Sequence, residues 1–364
     1  MAANLRVAVV GAGLAGLTCA LAAARAGATV DVYETAAQLP AAAAHVDVVP
    51  NMVRELARWK VVDDCVRLGF PYRRKLVLGH DGRQLMAIEA ARLAGGRHPA
   101  ALGITQGALH GVLAKAAMDA GARFHWASPV RLVEERDGLA ELHLDGVAPV
   151  RAELVLLACG ARSPLREAMY GPAALEQVGP AWRYLLATRP ARLDEALLAT
   201  DRQGRKAQVV PVNARQAGVR LCVPANLPAT DLPSALIGFG DPVGALIPLP
   251  PGHAMARPVQ VGMLPAAWHR GAVLAVGDCA HALAPHFGQA AAMAAEDATV
   301  LGELLAARLT PASLVDAFMA RRAPRAQQVM QITLQAARWD LAPQPEMDLL
   351  ALSQQLAQIV EQPA

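Results

Sequence analysis

A run of β-branched residues, Arg6 to Val10, passes directly into Gly11, Ala12, Gly13, Leu14, Ala15 and Gly16, and this junction constrains the fold more than any other stretch. The apolar run suits a buried parallel strand. Leu17 to Gly27 is apolar and alanine-rich, and its closing glycine suits the C′ position of a helix. A second strand is expected over Thr29 to Tyr33, ending at Glu34.

Strand, glycine turn, helix, strand and acid form one physical unit. The first glycine permits a tight turn, the second lets backbone amides approach a pyrophosphate, and the third lets helix and strand pack closely. The helix N-terminus then faces the phosphates. Glu34 lies eighteen residues beyond Gly16, close to the position of an acid that accepts from an adenosine ribose hydroxyl. The unit predicts a bound dinucleotide without separating FAD from NAD.

A second signal comes late in the chain. Gly271 to Cys279 reads as a glycine turn and a buried strand ending at Gly277 and Asp278. Pro285, His286, Phe287, Gly288 and Gln289 follow, and then an alanine-rich helix carrying Glu296 and Asp297. The free N–H groups at the start of that helix face whatever lies above Asp278. These residues resemble the class A FAD-dependent aromatic hydroxylases, the p-hydroxybenzoate hydroxylase type of flavoprotein monooxygenase. In that family a GD motif holds the ribityl chain, and a P-x-x-G-Q-G turn brings helix amides to the flavin. Gly277, Asp278, Pro285, Gly288 and Gln289 match, with Ala290 in place of the last glycine. Trp268 to Gly271 resembles the W-x-x-G lead-in, and Phe318, Arg321, Arg322, Pro324 and Arg325 resemble the helices that follow.

The resemblance implies an α/β fold: a Rossmann-like FAD-binding domain with an inserted antiparallel-sheet substrate domain and C-terminal helices. We expect residues 1-71, 101-172 and 266-364 in the first domain and 72-100 and 173-265 in the second. It implies cofactor contacts at Gly11, Gly13, Leu14, Ala15, Gly16, Glu34, Gln106, Val130, Cys159, Gly160, Gly277, Asp278, Pro285, Gly288, Gln289 and Ala290. Some family positions are altered. Gln106 stands where the family has an arginine, and Cys159 where it has an aspartate. Pro50 and Asn51 match a loop beside the flavin, but Ala43, Ala44 and His45 replace its glycine-containing approach. Cys159 reads either as a small buried residue or as a reactive thiol. Asp47 reads either as a solvated loop acid or, through the resemblance, as a cavity residue.

Between the motifs, a charged helix is expected over Val53 to Arg67 and an amphipathic one over Ile104 to Ala120. A buried strand is expected over Glu153 to Gly160. Period-2 runs at Leu76 to Leu78, His80 to Met86, Trp182 to Thr188, Ala207 to Val212, Gly218 to Val223 and Val259 to Met263 suggest strands, while Pro224 to Pro265 reads mostly as loop. Asp47, Arg183 and Tyr184 are the candidate catalytic residues. Phe239 and His286 join them as candidates to meet a ring, although the more generic reading makes Tyr184 and Phe239 core and Arg183 surface.

A hydrophobic fraction of 54% over 364 residues excludes a disordered chain, and a net charge of +3 gives no electrostatic footprint for nucleic acid. No apolar stretch is long enough to span a membrane. The five scattered cysteines support neither a disulfide framework nor a metal site and fit a reducing, cytoplasmic setting. No signal peptide is expected at the start. The implied enzyme is a monooxygenase that uses FAD, NAD(P)H and O2, through a flavin C4a-hydroperoxide, to hydroxylate a small phenol- or hydroxypyridine-like substrate. A homodimer is left open. Two alternatives remain: another FAD-dependent oxidoreductase (dehydrogenase, reductase or halogenase) on the same scaffold, or a flavin-poor, non-catalytic relative that binds a small aromatic ligand.

Overall fold

The computed structural model describes residues 5–39, 44–172, 174–178, 182–222, 232–249, 254–265, 267–341 and 348–364. The expected glycine unit forms as β1 (Arg6–Val10), α1 (Leu14–Arg25) and β2 (Thr29–Tyr33). Val7 to Val10 are buried on both faces, as a central parallel strand requires. The sheet runs in the order His269–Arg270, Val273–Ala275, Leu154–Leu157, β1, β2, Arg123–His125, with only its first pair antiparallel. The chain leaves β1 toward β2 on one side, and Leu154–Leu157 lies on the other. The crevice at the C-terminal end of β1 is therefore a topological switch point, where open α/β sheets bind ligands.

A second, eight-stranded sheet is built from two separated parts of the chain. Arg74–Leu78 and Gln84–Glu89 join the strands Ala196–Thr200, Lys206–Pro211, Gln216–Cys222 and Trp182–Thr188. Its pairs are antiparallel except where the two parts meet, Arg74–Leu78 running parallel to Ala196–Thr200. An entirely antiparallel sheet is therefore corrected at that seam, where no hairpin links the strands. A small sheet of His45–Val48, Ala101–Thr105 and Phe70–Tyr72 lies between the two halves. The larger core surrounds the parallel sheet, and a separate core containing Leu185, Val219 and Phe239 fills the second.

Several local expectations need correction. The helix expected over Val53 to Arg67 is two helices, Pro50–Arg58 and Val62–Leu68. Pro50 occupies the first turn of one, and Lys60 between them has φ +49°, which ends the α-helical path. The helix at Ile104 starts at Gln106, because Thr105 caps it by accepting from the Ala108 N–H, and Ile104 belongs to a strand. The strand near Val259 pairs with Glu176–Gln177 and His281–Ala282, outside the large sheet. The proline-rich stretch holds a short helix, Leu232–Ile237, and the strands Ile247–Pro248 and Ala254–Arg257. Its residues 224–231 and 250–253, like Ala43 and Val223, lie outside the described residues.

Candidate active site: one cleft from the glycine turn to the second sheet

The glycines divide the work as the turn requires. Gly11 has φ +103°, and a Cβ there would lie 2.7 Å from the Ala158 carbonyl oxygen. A Cβ on Gly16 would lie 1.8 Å from the Gly11 carbonyl oxygen, so this position sets the approach of helix to turn. At Gly13 a Cβ would meet nothing within 4 Å, which leaves open space where a ligand's phosphates would lie. The Glu34 carboxylate accepts from the Ala12 N–H at 2.6 Å and the Ala36 N–H at 2.9 Å. Burial raises its pKa, and these N–H donors reverse the effect and bring it below the ordinary glutamate value.

A cleft of about 930 Å³ opens from this turn. Gly11, Gly13, Leu14, Ala15, Glu34, Gln106, Val130, Cys159, Gly160, Asp278, Pro285, Gly288 and Ala290 all line it, together with Asp47 and Tyr184. Four expected residues do not. Gly16 is covered by its own turn, and Gly277, with φ +58°, packs against Ala15, so both act through backbone geometry. The Gln289 side chain turns inward to accept from Asn51. Arg183 lies between Trp182 and Tyr184, which line the cleft, and strand alternation carries it to the other face. Phe239 and His286 are also outside the lining: Phe239 is in the second core, and His286 bonds Asp340 at 2.8 Å.

The turn above Asp278 is made by Phe287 (φ +60°) and the left-handed Gly288, which caps the helix Gln289–Ala306. The cleft is lined at this helix start by Ala290, Ala291 and Ala294, small side chains that leave the helix terminus open to it. Behind the turn lies a buried ionic network. Asp297 bonds the Gly277 N–H, His281 and Arg322, while Glu296 bonds Asn51, Arg54, Arg322 and Arg325.

At the far end the wall is polar. Asp47 accepts from the Tyr72 hydroxyl, and Lys75 Nζ lies 3.3 Å from its other oxygen. Burial raises the Asp47 pKa, but Lys75, Arg220 and Tyr72 together hold it below the usual carboxylate value. Arg220, which sequence reasoning missed, is 5% exposed and lines the cleft. It donates to His45 Nε2 at 3.4 Å and to the Pro285 carbonyl at 3.1 Å. Burial, and then the Arg220 charge, push the His45 pKa down to about 3, so this imidazole is neutral at ordinary pH. Among the described residues no cluster of His, Cys, Asp and Glu could hold a metal, and no helix is long and apolar enough to cross a membrane.

Residues 9–58 match the family described as NAD(P)-binding Rossmann-like domain, and residues 256–333 match the FAD binding domain family. The chain is 29% identical over 324 residues to 6-hydroxynicotinate 3-monooxygenase of Bordetella bronchiseptica, covering 81% of each chain. It is 28% identical over 319 residues to 2-heptyl-3-hydroxy-4(1H)-quinolone synthase of Pseudomonas aeruginosa, covering 82% of this chain and 80% of that one. The chain is thus similar to these two enzymes over most of its length, at under 30% identity. Its fold is shared with solved structures. Klebsiella pneumoniae HpxO complexed with FAD and uric acid superposes with a TM-score of 0.82 at 22% identity, over 98% of this chain and 92% of that one. For 2-methyl-3-hydroxypyridine-5-carboxylic acid oxygenase (mutant C294A) the TM-score is 0.81 at 21% identity, over 97% and 96%. The glycine turn, the Asp278 turn and the open helix terminus fit FAD, the cofactor that the matched family and the HpxO complex have in common.

Proposed function

We propose that this chain is an FAD-dependent monooxygenase that uses NAD(P)H and O2 to place one oxygen atom on a small, electron-rich aromatic or heteroaromatic ring carrying an ionised group. The observation that carries this reading is the continuity of the cleft. It runs from Glu34 and Gly13, past Asp278 and the start of the 289–306 helix, to the polar wall of His45, Asp47, Tyr184 and Arg220.

When bound, FAD supplies the redox chemistry, taking electrons from NAD(P)H and passing them to oxygen. The protein's residues bind and orient. Gly11, Gly13 and the first turn of α1 would receive the pyrophosphate, Glu34 the ribose and Asp278 the ribityl chain. The helix terminus at Gly288 to Ala291 would favour negative charge on a bound cofactor by ~0.3–1 kcal/mol, rising to about 2 when partly buried. At the substrate end Asp47 shares its charge between Lys75 and Arg220, and among the described residues Arg220 itself bonds only the neutral His45 and the Pro285 carbonyl. A phenolate or carboxylate on the ring would complete that charge, and a buried cation gains most from such a partner.

The test is direct. Purified protein should retain FAD, and an ionisable aromatic should stimulate NAD(P)H oxidation with oxygen uptake and a product heavier by one oxygen. Asp278→Ala should lose the flavin. NAD(P)H oxidation unaffected by any phenol or hydroxypyridine, with no oxygenated product, would sink the proposal.

A further inference from the structure

Two thiols distant in the chain meet in the wall of the cleft. Cys159 follows the strand Leu154–Leu157, and Cys279 closes the turn Gly277–Cys279 after the neighbouring parallel strand Val273–Ala275. Their sulfurs are 3.8 Å apart, and both cysteines are free. The environments differ. Cys159 is half-buried and lines the cleft beside Gly11 and Asp278, whereas Cys279 is fully buried. Arg166 is buried against the pair, with Nε donating to the Cys279 carbonyl at 2.9 Å and Nη1 lacking a hydrogen-bond partner among the described residues.

We infer that Cys159 and Cys279 form a redox-active dithiol: a hydroperoxide oxidises Cys159, and Cys279 then closes an intramolecular disulfide in the cleft wall. Cys159 is the attacking sulfur because only it faces the cleft. The Cys279 thiol donates to it and, with the Ser163 hydroxyl and the Arg166 charge, outweighs burial and brings its pKa to about 7. Cys279 moves the other way, held protonated by its bond to Cys159 and by burial.

In the first step the Cys159 thiolate takes one oxygen from hydrogen peroxide, the O–O bond breaks and hydroxide leaves, giving the sulfenic acid. In the second, the Cys279 sulfur displaces the sulfenic hydroxyl. The S–S bond forms, the S–O bond breaks, and the Cys279 proton leaves with the hydroxyl as water. Two thiols are oxidised and one peroxide is reduced to water. A disulfide bond is about 2.05 Å long, so the side chains must rotate to close the remaining gap. Closure ties the Asp278 turn to the strand end beside the glycine turn. If FAD occupies the cleft as proposed above, it covers Cys159; only this protective effect rests on that reading.

The experiment treats the full-length protein with hydrogen peroxide, blocks the remaining thiols with N-ethylmaleimide and maps the peptides by mass spectrometry. Linked peptides joining Cys159 to Cys279, lighter by two hydrogens and released by dithiothreitol, are expected. Saturating FAD, with retention checked by absorbance in the same sample, should slow linkage several-fold. In Cys279→Ser, dimedone should trap a sulfenic acid at Cys159; in Cys159→Ser, Cys279 should stay reduced. Wild-type protein in which both thiols remain free, or Cys159 is over-oxidised without linkage, overturns the dithiol. Equal rates with and without retained FAD overturn the shielding of Cys159 by the cofactor and leave the linkage result standing.

Discussion

The Asp297 carboxylate accepts a hydrogen bond from the Gly277 N–H at 2.9 Å, immediately before the Asp278 that lines the cleft. The same oxygen lies 2.7 Å from His281 Nε2, and the other accepts from Arg322 Nε at 2.8 Å. All three side chains are essentially inaccessible to solvent. The long helix that begins at the cleft thus also fixes, about two turns further along, the backbone that presents Asp278.

Asp297→Ala should therefore cost stability and cofactor retention together. Removing one partner from a buried ionic group typically costs about 3–5 kcal/mol, because the remaining charge stays desolvated. Glu296 still pairs with Arg322, so the lower part of that range is expected. Urea denaturation of wild type and variant measures it, and an unchanged midpoint would remove Asp297 from this role.

Acid should expose the same interaction. Burial raises the Asp297 pKa, but His281 and Arg322 reverse the effect and bring it from 3.8 to about 2. A depressed folded-state pKa contributes stability above the unfolded value, and this is lost as pH falls through the folded value. The window is thus from about pH 4 down to about pH 2, and the contribution is roughly 2 kcal/mol. Denaturation curves across that interval should show a shallower loss for Asp297→Asn than for wild type, and parallel losses would contradict this.

Glu34→Ala should weaken FAD binding while sparing the fold. Its carboxylate is held by the Ala12 and Ala36 N–H groups, so the substitution frees two turn donors as well as removing the acceptor proposed for the ribose. Charge-assisted hydrogen bonds contribute about 1.5–3 kcal/mol, or roughly a tenfold to hundredfold rise in Kd. Calorimetric titration of FAD into the stripped protein checks this; an unchanged Kd would place the ribose elsewhere.

What the sequence made legible was what local order encodes. Arg6 to Glu34 reads correctly because strand, turn, helix and acid follow one another, and each glycine answers a constraint within a few residues. Gly277 and Asp278 read as a pair for the same reason. The substrate end was not readable in this way. Arg220 meets His45 only because the small sheet carrying His45 lies on the strand carrying Gly218, where a Cβ would fall 2.1 Å from the imidazole. Cys159 likewise showed no partner, since Cys279 reaches it only through the pairing of Leu154–Leu157 with Val273–Ala275. Glu296 and Asp297 gave a clue, two acids in an alanine-rich helix, but Arg322 and Arg325 come from the next helix and Arg54 from Pro50–Arg58, far away in the chain.

Arg220→Met should separate charge recognition from the rest of the site. The guanidinium is buried, and among the described residues it bonds the neutral His45 and a carbonyl and no carboxylate. An ionised substrate would lose its buried counter-charge. Truncating one partner of such a pair costs about 2–5 kcal/mol, so kcat/KM for a carboxylate- or phenolate-bearing ring should fall by roughly thirtyfold to several thousandfold. A neutral analogue of the same shape should lose far less, because its binding does not depend on that charge. Flavin content is read in the same samples, because Arg220 also donates to the Pro285 carbonyl beside the Gly288 turn. Equal losses for charged and neutral rings would mean that Arg220 supports the wall through Pro285 and His45 and does not select the substrate's charge.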